Sequence, residues 1–292
     1  MTIAGPATRA HAAADTRPGL HSARVSMWAL RGPSAGLAAR IEEAGQGLPV
    51  VFLHGLVGLN EHWESVVERL HRRVRCIRFQ LPLLQLRGED CSIHGVTRLT
   101  EQWLREQVGE PAVLVGNSFG GHVALRLAIE HPGAVRALVL AGSSGLIEKS
   151  MVSDIQIRPS RDWLSRKIGE LFHDPSMMRE ADLDRAHAEL SDRHGARAMV
   201  KLSRSARRDH LGDRIAQIGA PTLLLWGRQD VVTPPEAAEG FHRLIPGSRL
   251  VWFDNCGHVP MMEAPDGFCD RMLEFLGDLG DARLPAPGVR GA

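Results

Sequence analysis

The chain has no tyrosine and only four cysteines in 292 residues. The first absence removes any chemistry that needs a phenol. Cys76, Cys91, Cys256 and Cys269 show no CxxC or zinc-type spacing and are too few to staple a chain of this length, so a disulfide scaffold is excluded and a reducing compartment fits. Neither a metal nor a cofactor is expected. Long apolar runs are missing too, since none approaches the ~20 residues needed to span a bilayer. No block of one charge sign occurs. Lysine and arginine number 35 against 34 acidic residues, a formal net charge of +1, which points to neither nucleic acid nor an anionic membrane surface as partner.

Residues 1–24 are rich in alanine and arginine but lack the apolar core of a secretory signal. They read as a disordered tail, and the chain as cytoplasmic, with an organellar transit peptide as the alternative. Residues 281–292 read as a second disordered tail.

What the chain does have is a series of short apolar, β-branched runs: "RVSMWAL", "GLAARIEEA", "LPVVFLHG", "VRCIRFQ", "PAVLVGN", "RALVLAG", "PTLLLWG" and "SRLVWFD". These are eight candidate strands. From the third onward they alternate with helical patterns, which argues for a parallel sheet covered on both faces, because parallel strands need crossover connections. The first two runs lie closer together and suit an antiparallel hairpin at the sheet edge. One interval breaks the alternation. Residues 148–215 hold no convincing strand, and "RDWLSRKIGELF" spaces Trp163, Leu164, Ile168, Leu171 and Phe172 along one helix face. The interval reads as a helical cap over the carboxyl edge of the sheet, inserted between a first core part, 25–147, and a second, 216–280.

The stretch "AVLVGNSFGGHVAL", residues 112–125, sets a serine between glycines where a strand meets a helix. Side chains at Gly116 and Gly120 would collide as strand and helix close on a sharp turn, and Gly121 lets the helix approach a neighbouring strand. Such a turn lifts Ser118 into an exposed, strained position at a helix N-terminus, where free N–H groups favour negative charge. A serine becomes nucleophilic only when a base takes its proton, and the base needs a carboxylate to orient it. His258 follows the last strand and Asp230 follows the one before it, so all three residues leave carboxyl ends of strands. Asp254 is the competing acid. The oxyanion donors fall on the backbone N–H of Phe119 and, in the loop "HGLVG", on that of Leu56.

The motifs "HGLVG", "GNSFGGH", "WGRQDVVTP" and "CGHVP", in that order with a helical cap before the acid, resemble those of the α/β-hydrolase family over roughly residues 25 to 280. The resemblance implies a mostly parallel eight-stranded sheet with helices on both faces. It also implies a serine hydrolase that cleaves an ester, lactone or related acyl compound through an acyl-enzyme, its partner a small, apolar acyl substrate. Dehalogenases and epoxide hydrolases of that family use aspartate where Ser118 stands, and the latter also use cap tyrosines, so both are excluded. "GNSFGG" is similar to the elbow of hydrolases that cleave carbon–carbon bonds in ring-fission products, which sets up the main alternative. Those enzymes usually carry tryptophan where this chain has Val259, and a longer glycine-rich loop. The segment "FQLPLLQLRGEDCS" departs from the family's Asp-x-x-Gly-x-Gly loop. Lyase, cofactor-free oxygenase and non-catalytic binding chemistry are further alternatives on this fold. Arg158, Arg161 and Arg166 are candidates to bind an anionic dienol, or else a solvated helix face. Trp226, Met261 and Met262 are candidate pocket residues, or else core.

Overall fold

Every one of the eight apolar runs forms a strand in the computed structural model, which describes residues 23–147 and 159–280. Residues 1–22 and 281–292 of the expected tails and residues 148–158 of the interval 148–215, Arg158 among them, lie outside the described residues, whereas Arg24, expected in the first tail, opens the first strand. The strands are β1 (Arg24–Ala29), β2 (Ala38–Ala44), β3 (Pro49–Leu53), β4 (Arg75–Gln80), β5 (Ala112–Asn117), β6 (Val135–Ala141), β7 (Thr222–Gly227) and β8 (Arg249–Phe253). The helices are α1 (Glu64–Leu70), α2 (Ile93–Trp103), α3 (Phe119–Glu130), α4 (Arg161–Gly169), α5 (Glu180–Ser191), α6 (Arg193–Arg208), α7 (Pro235–Leu244), α8 (Pro260–Glu263) and α9 (Pro265–Asp278).

The strands make one sheet in the order β1-β2-β4-β3-β5-β6-β7-β8. β1 and β2 form the antiparallel edge hairpin, β2 runs antiparallel to β4, and every pairing from β4 to β8 is parallel. The period of two along a strand decides which face each residue serves. Val51, Leu53 and Leu114 point into a core built with α2, α3 and α7; Val50, Phe52, Val113 and Val115 point into one built with α1 and α9. On the second face Trp63 is fully buried between Phe52 and Phe268. Truncating so large a buried aromatic to alanine costs about 3–5 kcal/mol.

This topology sends the loops that follow β3, β5, β7 and β8 to one end of the sheet. α4, α5 and α6 fall between β6 and β7 in the chain. Ser160 starts α4 by accepting from the Trp163 N–H, and Asp192 starts α6 by accepting from the N–H groups of His194 and Gly195. The segment that departs from the family loop supports α6: Gln85 O meets His194 Nε2 at 3.1 Å, and Cys91 Sγ donates to Ala198 O at 3.7 Å.

Candidate active site

Ser118 joins β5 to α3 with φ 53° and ψ −119°, a left-handed conformation that non-glycine residues rarely adopt. Its glycine neighbours make the turn possible. A Cβ at Gly116 would stand 2.5 Å from the Gly120 carbonyl oxygen, and one at Gly120 would run into the backbone carbonyls of Leu53 and His54. Gly121 abuts Ser143 just past β6. The strain is held by the Ser118 N–H donating to Ala141 O at 3.2 Å and by Ser118 O accepting from His122 N and Ser144 N.

Asp230 and His258 meet as a buried pair. Asp230 Oδ2 accepts from His258 Nδ1 at 2.9 Å and from Thr233 Oγ1 at 2.8 Å, while Oδ1 accepts from the N–H groups of Val232 and Thr233 at 2.8 and 2.9 Å. A carboxylate with four donors in a buried setting is held in one orientation. Nδ1 is thus the ring nitrogen committed to Asp230. Asp254 lies elsewhere, exposed and paired with Arg228 at 2.8 Å.

The histidine loop is fixed on both flanks. Asn117 Nδ2 donates to Ala141 O and to His258 O at 2.9 and 3.0 Å, so the residue before the serine also ties down the histidine. On the other side His258 N donates to Leu171 O at 2.7 Å. Glu263 bridges the same two segments, accepting from Gly257 N with Oε2 and from His173 N with Oε1, both at 2.7 Å. Thr233 and Glu263 went unnoticed in the sequence because each acts through a contact that spacing does not encode; "HVPMMEAP" carried no separate signal.

Leu56 lines the same cavity as Ser118, and Phe119 follows the serine in the chain. The loop "HGLVG" closes on itself through Gly58 N to Gly55 O at 3.0 Å, and a Cβ at Gly55 would stand 3.4 Å from the Ser118 Cβ. Among the described residues no acceptor meets the N–H of Leu56 or of Phe119. Arg185 of α5 reaches down to donate to Val57 O, and its other arm pairs with Glu189. His54, at the base of the loop, is buried, and that burial holds its pKa down at about 4.

Ser118, His258 and Leu56 all line one cavity of about 150 Å³ whose far wall comes from α4, α5 and α6. Trp163, Leu164, Ile168, Leu171 and Phe172 line it, and so does Met262. Trp226 and Met261 do not. Trp226 is fully buried, its indole N–H donated to Thr233 O and its ring against Phe241; Met261 packs in the core with α9. Both are core: Trp226 is on β7, where alternate positions face opposite sides of the sheet, and Met261 is on α8, turned toward α9. Arg161 and Arg166 are exposed, Arg161 pairing with Glu180 and Asp184 of α5. The charged groups that do line the cavity are paired: Lys167 with Glu170 at 3.1 Å, and Asp182 with His62 at 3.0 Å and Arg179 at 2.8 Å. Those bonds outweigh burial and draw the Asp182 pKa down to about 2.

A family model described as the alpha/beta hydrolase family matches residues 50–271. The chain belongs to that family. It is 30% identical over 246 residues to the pimeloyl-[acyl-carrier protein] methyl ester esterase of Nitrosomonas europaea, covering 78% of this chain and 95% of the relative. It is 29% identical over 263 residues to the 2-hydroxy-6-oxo-2,4-heptadienoate hydrolase of Pseudomonas putida, covering 83% and 94%. Among solved structures, a serine hydrolase involved in carbazole degradation superposes with a TM-score of 0.73 at 26% identity, covering 88% of this chain and 99% of that one. The relatives are thus a methyl ester esterase and a dienoate hydrolase, and this chain is a hydrolase. Among the described residues no helix is long and apolar enough to cross a membrane.

Proposed function

We propose that the chain is a serine esterase that cleaves a neutral ester, lactone or related acyl compound through an acyl-enzyme. The observation that carries this reading is the buried 2.9 Å Asp230–His258 bond, set in the wall of the cavity that Ser118 enters. Ser118 Oγ attacks the acyl carbon while His258 Nε2 takes its proton, and Asp230 stabilises the imidazolium that forms. Leu56 and Phe119 donate their N–H groups to the oxyanion. His258 then protonates the leaving alcohol, and water repeats the sequence on the acyl-enzyme. The interval 148–215 acts as the cap that sets substrate size. The four thiols, all free and buried, fit a reducing, cytoplasmic setting.

Carbon–carbon bond hydrolysis of a dienol, suggested by the resemblance of the elbow and by the dienoate hydrolase name of the Pseudomonas putida relative, is the second reading on the same residues. A dienol substrate brings an anionic, conjugated end that must be bound. Against it, the cavity-lining Lys167 is already committed to Glu170, and Arg161 faces away to α5. Measuring kcat/KM for short aryl esters, lactones and a ring-fission dienol on purified protein tests the ranking. Esters or lactones are expected to be the faster class; a dienol preferred by tenfold, about 1.4 kcal/mol in transition-state stabilisation, would reverse it.

A further inference from the structure

Ser203 stands in the cavity wall on α6, in the stretch "VKLSRSARR", where helix periodicity makes it an inward-facing position between Leu202 and Ala206. The side chain is 4% exposed, and its hydroxyl has no hydrogen-bond partner among the described residues. That is unusual for a helical hydroxyl, which ordinarily returns its proton to a carbonyl one turn back. The neighbouring examples do so: Ser205 Oγ donates to Leu202 O, Thr97 Oγ1 to Ile93 O and Thr100 Oγ1 to Val96 O, each at 2.8 Å. A buried hydroxyl left without a partner costs free energy, and in a ligand cavity the missing partner is naturally supplied by what binds there.

The surroundings say what kind of group that is. The wall around Ser203 is apolar, with Ala186, Leu190 and Met199 contributed by α5 and α6. The charged side chains of the cavity are spoken for, Asp182 by His62 and Arg179 and Lys167 by Glu170. A charged substituent brought there would lose its hydration without gaining an uncommitted counter-charge. A neutral oxygen would gain one hydrogen bond and leave none broken.

We propose that Ser203 is a specificity-determining subsite on the cap wall, which accepts a neutral hydroxyl or carbonyl oxygen carried on the chain of the ester. This rests on the serine-esterase reading. It narrows the substrate to a mostly apolar ester with one polar oxygen away from the scissile bond.

The test is a panel of 4-nitrophenyl butanoate, hexanoate and octanoate, each plain, with a terminal hydroxyl and with a keto group, together with the acetates of the matching alcohols and diols. In the wild type at least one oxygen-bearing member is expected to exceed its plain counterpart about tenfold in kcat/KM, as a site built to pair a polar group discriminates. Ser203→Ala is expected to erase that preference, bringing the oxygen-bearing member down to the rate of its plain counterpart, and Ser203→Thr, which keeps the hydroxyl, to restore part of it. Binding supplies a readout independent of turnover: on Ser118→Ala protein, calorimetry is expected to give the favoured member the tighter Kd, and Ser118→Ala with Ser203→Ala to equalise the pair. If no member shows a preference that depends on Ser203 in either measurement, the subsite is wrong. If Ser118 takes no fluorophosphonate and no ester turns over, the esterase reading has failed, and the binding comparison still decides the subsite.

Discussion

The two walls of the cavity treat polar atoms differently. On the core side, Asp230 accepts four hydrogen bonds, Asn117 donates two, and the backbone of Ser118 is tied to Ala141, His122 and Ser144. On the cap side, Trp163, Ile168 and Met199 supply apolar surface, and the Ser203 hydroxyl is left over. A wall whose orienting side chains are each bonded within the protein holds one geometry, which is what pre-organised chemistry needs, and it keeps only the Leu56 and Phe119 N–H groups for a reacting oxygen. A wall of pliable apolar side chains fits shapes, and its few unspent polar groups select among them. Damage to the core wall is therefore expected to lower rate, and damage to the cap wall to change preference.

The largest break is at the nucleophile and its base. Ser118→Ala and His258→Ala are each expected to lower kcat for the best ester by about 10⁶-fold, and the double variant by no more, because triad members act as a unit. Steady-state assays with each variant check this; additive losses would mean that the two act separately. Asp230→Asn should cost about 10⁴-fold by upsetting the tautomer and orientation of the imidazole. Asp254→Asn, in a residue exposed and paired with Arg228, is expected to stay near wild-type activity. The reverse order would put the acid at Asp254.

His54 gives the core wall a pH signature. Its folded pKa of about 4 lies below the ordinary 6.5, so the unfolded chain takes up a proton as pH falls through 6.5 and the folded one does not until about 4. Stability from this group is therefore intact above pH 6.5 and lost between 6.5 and 4, by about 3 kcal/mol in full. Chemical denaturation from pH 7 to 4 should show the loss, and His54→Gln should flatten it. An unchanged slope in the variant would mean that another group titrates there.

Glu263 sharpens the comparison because it joins the two walls. Glu263→Gln replaces one acceptor oxygen by a donor and leaves either Gly257 N or His173 N unmatched. Since Gly257 precedes His258, kcat should fall about tenfold, near 1.4 kcal/mol, with KM within twofold. In a His258→Ala background the same change should have no further effect on residual labelling, as expected of a residue that acts through the imidazole. A loss of equal size in that background would make Glu263 a purely structural tie.

These contrasts also explain what the sequence made legible. The strands were readable because a parallel, doubly covered sheet demands continuous apolar runs, and all eight appear as such. The elbow was readable because backbone geometry at Ser118 forces glycine at fixed offsets, so the constraint lies within a few residues of the chain. Asp230 and His258 could be placed by strand order, and they are in contact. Trp226 and Met261 were ambiguous, since a residue at a strand end or in the short helix after the last strand can face core or cavity and only packing decides. Thr233, Glu263 and the Arg185–Val57 tie were invisible for a different reason: their partners lie up to 128 positions away or in a loop whose path the pattern does not fix. The polar bookkeeping of the cap wall, Ser203 included, follows from three helices packing together and has no local signature.

The most direct measurement is covalent labelling of the intact chain with a fluorophosphonate, followed by mass spectrometric mapping of the adduct. Modification at Ser118, absent from Ser118→Ala and slowed in Asp230→Asn, is the expected result. An adduct on another residue, or undiminished labelling of Ser118→Ala, would contradict the assignment of the nucleophile and with it the esterase mechanism.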